Sequence, residues 1–313
     1  MSDDQALWDC VIAGGGAAGL SAALVLGRAR RRVLLVDGGR QSNLPAHGIG
    51  GLLGNDTRPP ADFYATARHE LAAYPTVQLR DGEVTSATRA NTAFVLELPE
   101  GTKEATRRLL LATGMEYRYP QLPGIAPLWG RTVFHCPFCH GWEVRDQPLA
   151  VLGAPPESIH RALLLRAWSD DVTLLTDGSE LDRDQRTQLA AAGVSIDGRA
   201  VAALKGRDDL LEAVVFTDGS QRRLSGLLVP VTLHQRGDLP AQLGLSLAEP
   251  GPLSAETVNV DGRYLTSVPG VYGAGDLVVQ MPTVANAIMS GSVAAAAIVG
   301  SLTGAAPEPT ARA

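Results

Sequence analysis

Two cysteines separated by two residues are the side chains of this sequence best suited to chemistry. Cys136 and Cys139 lie in the segment His-Cys-Pro-Phe-Cys-His-Gly, residues 135–141. Thiols at this spacing can form a small-ring disulfide, and a turn or helix start around them would lower the pKa of one thiol and make it nucleophilic. The spacing therefore predicts a redox-active pair.

Other interpretations of the pair explain less. A structural zinc ion needs four ligands, and His135 and His140 are poorly placed to share one ion with both thiols, so we predict no metal site. Haem attachment at Cys-x-x-Cys-His normally requires export. A thioredoxin-like module would place the pair near the start of a small domain, and a buried structural pair would leave the motif unexplained. Cys10, inside the first predicted strand, is expected to be a core residue.

A glycine-rich turn near the start of the sequence has the spacing of a phosphate-binding loop. Gly14, Gly16 and Gly19 follow a predicted strand and open a predicted helix, and Asp37 follows the next strand. Gly14 would permit the tight turn, Gly16 the approach of a pyrophosphate, and Gly19 the close packing of helix on strand. Asp37 would accept hydrogen bonds from ribose hydroxyls. We predict a dinucleotide site here, the alternative being a turn that only packs.

The elements around these motifs predict an α/β fold. Residues 9–36 have the pattern of a strand, a helix and a second strand, and the same order returns at residues 149–175. We therefore predict two Rossmann-like dinucleotide-binding domains. Segments rich in Pro and Gly suggest that the chain leaves the first domain and later returns to it. We expect a discontinuous first domain at residues 1–117 and 243–313, and a second domain that carries the cysteines at residues 118–242.

A glycine–aspartate pair near the end of the sequence favours FAD over NAD. Residues 269–276 read Pro-Gly-Val-Tyr-Gly-Ala-Gly-Asp, which places Gly275 and Asp276 after a predicted strand. The carboxylate could there bind the ribityl-diphosphate part of a flavin. Together with Ala-Thr-Gly at residues 112–114, this pattern looks like the FAD domain of flavoprotein reductases that have two dinucleotide domains.

In their order along the chain, these motifs resemble low-molecular-weight thioredoxin reductases over nearly the whole length. The resemblance implies an FAD-dependent disulfide oxidoreductase that forms a homodimer and rotates its domains. It also implies that Cys139 lies against the flavin and that Cys136 exchanges with the substrate. For Thr283 and Val284, at the start of a predicted helix, plain packing is the alternative to flavin binding. The residues expected to bind FAD are Gly14, Gly16, Ala17, Ala18, Gly19, Asp37, Gly38, Asn43, Thr113, Gly114, Gly275, Asp276, Thr283 and Val284.

Within this family, the cysteine motif is more similar to the dithiol oxidases of the gliotoxin and holomycin pathways. The similarity includes residues 136–143, 43–47 and 58–62. Typical thioredoxin reductases have an acid after the second cysteine, where this sequence has His140. An imidazole titrates near neutrality, so we predict His140 as the general acid and base for the dithiol, with capping or packing as its alternative role. Further candidates for the substrate pocket are His47, Trp142 and His234.

The second nucleotide loop departs from the family pattern. Residues 153–158 read Gly-Ala-Pro-Pro-Glu-Ser, so Pro155 stands where a second glycine would allow a pyrophosphate to approach, and proline has no amide donor. Glu157 adds a negative charge beside the expected phosphates. Residues 176–180 also lack the arginine that typical thioredoxin reductases use on the 2′-phosphate. The sequence therefore argues against NADPH binding.

Without NADPH as donor, the simplest predicted activity is dithiol oxidation. A small-molecule dithiol would exchange with the Cys136–Cys139 disulfide, and its electrons would pass through FAD to oxygen. One alternative is an atypical thioredoxin reductase that uses NADPH or a donor such as ferredoxin and acts on a thioredoxin-like protein. Another is a flavin redox sensor that does not turn over.

Composition limits the partners and the location. The net charge is −6, 45% of residues are hydrophobic, and Lys and Arg form no block longer than Arg30–Arg32, so we expect no nucleic-acid partner. Asp3 and Asp4 precede an apolar stretch that glycines interrupt, which argues against a secretory signal and predicts a cytoplasmic protein. Polar residues within the uncharged stretch at 277–307 predict a buried helix and no membrane span.

Overall fold

The computed structural model describes residues 7–279 and 281–305, and the chain divides into two compact units. The first unit contains the chain up to Leu44, Ala61–Tyr117, and the chain from Leu233 onward. The second unit contains Pro45–Pro60 and Arg118–Thr232. Asp3 and Asp4, which carry the prediction about a secretory signal, lie outside the described residues.

These units differ from the expected domains at two places. Residues 45–60 belong to the second unit, because their turns pack beside the cysteine motif. Residues 233–242 belong to the first unit. There the Leu233 amide donates to the Leu253 carbonyl over 2.8 Å, and the Gln242 side chain accepts from the Ala87 amide over 3.0 Å. Local composition does not indicate the unit to which either segment belongs, because both assignments depend on contacts between distant parts of the sequence.

Strands and helices alternate along much of the chain. The helices are α1 Ala17–Arg28, α2 Pro60–Leu71, α3 Pro137–His140, α4 Glu157–Leu165, α5 Arg183–Ala191, α6 Leu239–Gln242 and α7 Val284–Thr303. The strands are β1 Trp8–Ala13, β2 Val33–Asp37, β3 Val77–Asp81, β4 Ser86–Ala90, β5 Ala93–Glu97, β6 Lys103–Leu111, β7 Met115–Arg118, β8 Val133–Phe134, β9 Leu149–Leu152, β10 Val172–Leu175, β11 Val194–Asp197, β12 Val201–Arg207, β13 Leu210–Phe216, β14 Gln221–Arg223, β15 Gly226–Leu228, β16 Thr232–Gln235 and β17 Val271–Gly273.

The first unit is built on a seven-stranded sheet. Its order is β3-β2-β1-β6-β5-β4. Strand β17 pairs with residues 109–111 of β6, beyond the residues 103–106 that pair with β5. The pairings from β3 to β6 and the pairing with β17 are parallel, whereas β4 and β5 form an antiparallel extension. Strand β2 is buried at all five residues, as expected for a parallel strand covered on both faces. Its carboxyl end places Asp37 beside the glycine loop.

Small residues allow α1 and α7 to pack closely in this unit. A side chain at Gly291 of α7 would collide with the backbone of Ala18 in α1, and one at Gly19 would collide with the Gly14 carbonyl. Helix α7 is long and apolar enough to cross a membrane by length and composition alone, a test that core helices of soluble proteins also pass. Six of its 20 residues are buried, and the buried helix without a membrane span stays a prediction.

The second unit has a five-stranded parallel sheet and a smaller antiparallel one. The parallel order is β11-β10-β9-β15-β8, and the three-stranded sheet has the order β12-β13-β14. Strands β9 and β10 are buried at every residue, and α4 connects them as the βαβ pattern predicts. The cysteine motif lies between β8 and β9, so it is attached directly to this sheet.

Candidate active site

The two cysteines form a disulfide across one turn of helix. Cys136 caps the amino end of α3 and Cys139 lies inside it, with their Cα atoms 5.4 Å apart. The Cys139 amide donates to the Cys136 carbonyl over 3.2 Å, and the Gly141 amide donates to the Pro137 carbonyl over 2.7 Å. Pro137 occupies the first helical position, where its fixed φ suits a helix start. The predicted turn geometry around the thiols is therefore present.

Aromatic side chains surround this turn. Phe138 packs edge-on against Trp168, with ring centroids 5.2 Å apart, and remains 68% exposed. A Cβ at Gly141 would lie 2.9 Å from the Trp168 ring, so glycine is required for this packing. Trp142 is 63% exposed, and the Arg145 guanidinium lies 3.9 Å from the centroid of its ring. The disulfide thus lies beside an exposed aromatic surface.

His140 keeps its two ring nitrogens in different environments. Its Nε2 lies 3.0 Å from the Gly130 carbonyl, which can only accept, so Nε2 carries the proton of the neutral ring. Its Nδ1 is buried and has no hydrogen-bond partner in the described chain. Burial lowers the pKa of His140, although the carbonyls of Gly130 and Cys136 and the charge of Glu143 oppose this shift. Burial thus favours the neutral ring, with the proton on Nε2 and with Nδ1 enclosed by the protein.

His135, which precedes the cysteines in the sequence, packs against an aromatic ring. Its ring stacks on Trp129 with centroids 5.8 Å apart. Burial, together with the nearby charges of His140 and Arg161, lowers the pKa of His135 to about 4. The ring is thus neutral at physiological pH. Within the described residues, no group of three or more His, Cys, Asp and Glu side chains could hold a metal ion.

A strap formed by residues 45–60 packs on the cysteine turn. A side chain at Gly50 would collide with the Cys139 carbonyl, so the two backbones are in close contact. Arg131 donates to the Pro45 carbonyl over 3.1 Å and to Asp209 Oδ2 over 2.7 Å, and His47 Nε2 lies 2.9 Å from the same oxygen. The predicted pocket residue His47 therefore helps to anchor the strap.

In the first unit, the glycine loop has the geometry of a phosphate-binding turn. Gly14 has φ +112°, and a side chain there would collide with the Ala112 carbonyl. Gly16 caps the amino end of α1, and a Cβ there would meet no atom closer than Gln41 Cγ at 4.0 Å, so its backbone can be approached. Ala17 and Ala18 form the first turn of α1 and are buried.

Asp37 is 5% exposed and belongs to a network of hydrogen bonds. The Gly39 amide and the Gln41 side chain donate to its Oδ1 over 2.9 Å and 3.1 Å, and Arg68 Nη1 lies 2.5 Å from Oδ2. A side chain at Gly15 would collide with the Asp37 carboxylate, which places this acid directly against the glycine loop. Gly38 is exposed and adjoins the Glu83 side chain.

Asn43 and Asp276 have polar atoms that suit a bound polar ligand. Tyr64 donates to Asn43 Oδ1 over 2.9 Å, whereas Asn43 Nδ2 is buried and has no hydrogen-bond partner in the described chain. Asp276 keeps part of its surface exposed although protein atoms crowd its carboxylate, and this burial raises its pKa. Tyr117 donates to Asp276 Oδ2 over 2.9 Å. The donor and acceptor groups fit a ligand rich in hydroxyls and ring carbonyls, such as FAD.

The remaining predicted cofactor residues lie in the same unit. Thr113 and Gly114 follow β6, and Gly114 and Gly275 have φ +65° and +73°. Thr283 is exposed and caps α7 by accepting from the Asn286 amide over 3.1 Å, and Val284 is the first residue of that helix. Thr283 thus caps the helix with its side chain, and its predicted contact with the flavin stays a prediction.

The second nucleotide loop offers few amide donors for a pyrophosphate. Pro155 and Pro156 have no amide hydrogen, and Pro156 caps the amino end of α4. The Ser158 and Ile159 amides donate to the Ala154 and Pro156 carbonyls over 3.4 Å and 3.1 Å. Glu157 is exposed at the first position of the helix. The residues present do not fit the diphosphate of a pyridine nucleotide.

Comparison with known proteins agrees with the two nucleotide-binding folds. The family model described as pyridine nucleotide-disulphide oxidoreductase matches residues 8–291. The chain belongs to this family. It is a flavin-dependent disulfide oxidoreductase of the thioredoxin reductase type, which confirms the predicted fold class and enzyme class. The family binds FAD.

Individual relatives cover nearly the whole chain. Thioredoxin reductase tcpT of Claviceps purpurea is 33% identical over 91% of this chain and 91% of its own. The crystal structure of an oxidoreductase from Agrobacterium tumefaciens is 37% identical, with a TM-score of 0.89 over 95% of this chain and 99% of that one. The crystal structure of HlmI is also 37% identical, with a TM-score of 0.89 over 97% of this chain and 95% of that one.

Sequence reasoning missed the groups that support the motif residues. The strap has no motif of its own, and Tyr117 and Arg236 are isolated residues whose partners are distant in sequence. His234, predicted as a pocket residue, lies with Nδ1 2.7 Å from Glu256 Oε1 and thus forms a local pair.

Proposed function

We propose that this protein oxidises a small-molecule dithiol to a disulfide, with FAD as cofactor and oxygen as electron acceptor. The observation that supports the direction of electron flow is the second nucleotide loop, where two prolines have no amide hydrogen and the Ser158 and Ile159 amides are bonded within the loop. The similarity of the cysteine motif to the gliotoxin- and holomycin-type oxidases supports the same direction. A thioredoxin reductase would need another electron donor.

The reaction begins at the disulfide. A substrate thiolate attacks the sulfur of Cys136, the Cys136–Cys139 bond breaks, and a mixed disulfide and a Cys139 thiolate form. The second substrate thiolate then attacks the substrate sulfur of the mixed disulfide and releases Cys136. The substrate leaves as a disulfide and the enzyme holds two reduced cysteines, so two electrons have been transferred.

His140 manages the protons of these exchanges. Its neutral ring has a lone pair on Nδ1, which can take a proton from an attacking thiol and return it to a leaving thiolate. The contact of Nε2 with the Gly130 carbonyl fixes the tautomer. The hydrogen bond therefore orients the base as well as holding the ring.

The first unit would hold FAD. The Gly14–Gly19 loop and the start of α1 would bind the pyrophosphate, Asp37 the ribose, and Asn43 and Asp276 other polar groups of the cofactor. When bound, FAD would accept two electrons from the reduced cysteines and deliver them to oxygen, which yields hydrogen peroxide. The balance is one dithiol and one oxygen to one disulfide and one hydrogen peroxide.

An anaerobic titration of the holoprotein separates this function from reductase activity. We expect dithiothreitol to bleach the flavin absorbance and NADPH to leave it unchanged. Rapid bleaching by NADPH would contradict the oxidase direction. Oxygen consumption with dithiothreitol should continue through many turnovers and should be lost in Cys136→Ser and in Cys139→Ser. A single turnover would instead indicate a redox sensor.

A further inference from the structure

A tyrosine and an arginine outside every recognised motif lie around Asp276 in the first unit. The Tyr117 hydroxyl donates to Asp276 Oδ2 over 2.9 Å, although the two residues are 159 positions apart. The Arg236 guanidinium donates to the carbonyl of Met115, two residues before Tyr117, over 3.0 Å, and its charge lowers the pKa of Asp276. Tyr117 and Arg236 thus form one cluster around the buried carboxylate of Asp276.

Arg236 also holds the chain segment that leads to Asn43. Its guanidinium donates to the carbonyls of Met115 and Arg40 over 3.0 Å and 2.8 Å, and to the Ser42 hydroxyl over 3.2 Å. A side chain bound at three points is fixed in position, so its charge is fixed relative to Asp276 as well. The same arginine therefore supports the loop and the carboxylate.

Burial of the Asp276 carboxylate opposes its charged form. Burial raises the pKa of Asp276, whereas the Tyr117 hydrogen bond and the charge of Arg236 lower it. Tyr64 is the other titratable group that faces the carboxylate. Helices α1 and α7 pack against the Gly275–Leu277 turn, and α7 contains no acidic or basic side chain. Tyr117 and Arg236 are thus the groups that stabilise the charge.

We propose that Tyr117 and Arg236 are positioning residues that keep the Asp276 carboxylate ionised and oriented to accept a hydrogen bond from a ribityl hydroxyl of FAD. This inference rests on the proposed FAD site. An ionised carboxylate is a stronger hydrogen-bond acceptor for the hydroxyl than a protonated one, which uses one of its oxygens as a donor. Affinity for FAD should therefore fall as the pH falls through the raised pKa of Asp276.

The test is a titration of the apoprotein with FAD over a series of pH values, followed by quenching of flavin fluorescence. Tyr117→Phe and Arg236→Gln remove groups that lower the pKa of Asp276, so affinity should be lost at a higher pH than in the wild type. Near neutral pH we expect Tyr117→Phe to weaken FAD binding about tenfold, because a hydrogen bond to a charged group is lost. Arg236→Lys should restore the wild-type pH midpoint because it keeps the charge.

Two further variants make the test specific. Tyr264→Phe is the matched control, because Tyr264 lies in the same unit and its hydroxyl contacts the Met289 sulfur at 3.5 Å. Asp276→Asn cannot ionise, so its affinity should not depend on pH in this range. In the Asp276→Asn background, Tyr117→Phe should reduce the affinity for FAD much less than in the wild type. The effects of two residues are not additive when one acts through the other.

The outcomes separate this inference from the function on which it rests. If wild-type apoprotein binds FAD but Tyr117→Phe follows the pH dependence of Tyr264→Phe, the inference is wrong and the FAD site stands. If the effects of Tyr117→Phe and Asp276→Asn are additive, Tyr117 does not act through Asp276 and the inference is again wrong. If wild-type apoprotein binds no FAD at any pH, the proposed function fails and the inference fails with it.

Discussion

The two ring nitrogens of His140 have different environments, unlike those of an ordinary surface histidine. Nε2 is committed to the Gly130 carbonyl, and Nδ1 is the atom that we propose as the base. We predict that His140→Asn lowers kcat/KM for dithiol oxidation by ~100-fold, the lower end of what general acid–base catalysis contributes. Oxygen consumption measured at several dithiol concentrations gives this ratio.

The pH profile tests the same residue by a second route. Because burial lowers the pKa of His140, the neutral ring persists below the ordinary histidine range, and its base function is lost only as the pH falls through that lowered pKa. The resulting acid limb of the profile should disappear in His140→Asn. His160→Asn, an exposed position on α4, is the control and should keep it. An unchanged acid limb in His140→Asn would assign the titration to another group.

The site residues that could be predicted from the sequence differ from those that could not in how far along the chain their determining contacts lie. Gly14, Gly16 and the cysteine pair are recognisable because neighbours a few positions away determine their geometry. Tyr117 meets Asp276 across 159 positions. No periodicity or spacing carries such a contact, because it exists only after β7 and the Gly275–Leu277 turn have been brought together by the sheet.

The strap at residues 45–60 is the element that supports the cysteine turn most directly. We predict that Gly50→Ala destabilises the protein by ~1–3 kcal/mol, because its Cβ would collide with the Cys139 carbonyl and one of the two segments must shift. Urea unfolding of the oxidised protein measures the loss, and the rate of disulfide reduction by dithiothreitol should change with it. Gly198→Ala is the control, since its Cβ would lie 3.8 Å from Thr176 Oγ1, an ordinary contact.

Helix α5 offers a local test of stability in the second unit. Asp182 caps this helix and Gln185 returns the interaction, with distances of 2.8 Å and 3.0 Å. Asp182→Ala should cost ~1 kcal/mol in the free energy of unfolding, because an amide at the helix start loses its acceptor. Asp182→Asn should restore most of it, as asparagine also caps helices. Equal losses in both variants would show that charge, and not capping, is responsible.

At the scale of the whole molecule, ligand binding should be visible as stability. If the first unit binds FAD, FAD at 100 times its Kd should add ~2.7 kcal/mol to the stability of the apoprotein. The thermal unfolding midpoint of the apoprotein should therefore rise with FAD and remain unchanged with NADPH. A rise with NADPH comparable to that with FAD would contradict the assignment of the second loop. The homodimer and the cytoplasmic location stay predictions, and sedimentation of the holoprotein measures the first.

The global architecture was largely predictable, and its exceptions have a physical cause. Buried parallel strands joined by helices have a strong periodic signal, which is why the two βαβ units at the start of each domain were placed correctly. The segment at residues 45–60 contains turns and loops without periodicity, so its membership in the second unit depends on packing alone. The same holds for residues 233–242.

The chain passes between the two units after Leu44, Pro60, Tyr117 and Thr232. A gene fragment that encodes residues 118–232 would therefore contain both cysteines but lack the strap that contacts Cys139. Exchange of this unit between genes by a single recombined block would separate the cysteine turn from its support. A change in the cysteine turn that alters its contact with the strap therefore needs a matching change in a distant stretch of the sequence. We expect coordinated substitutions between the strap and the cysteine turn among relatives.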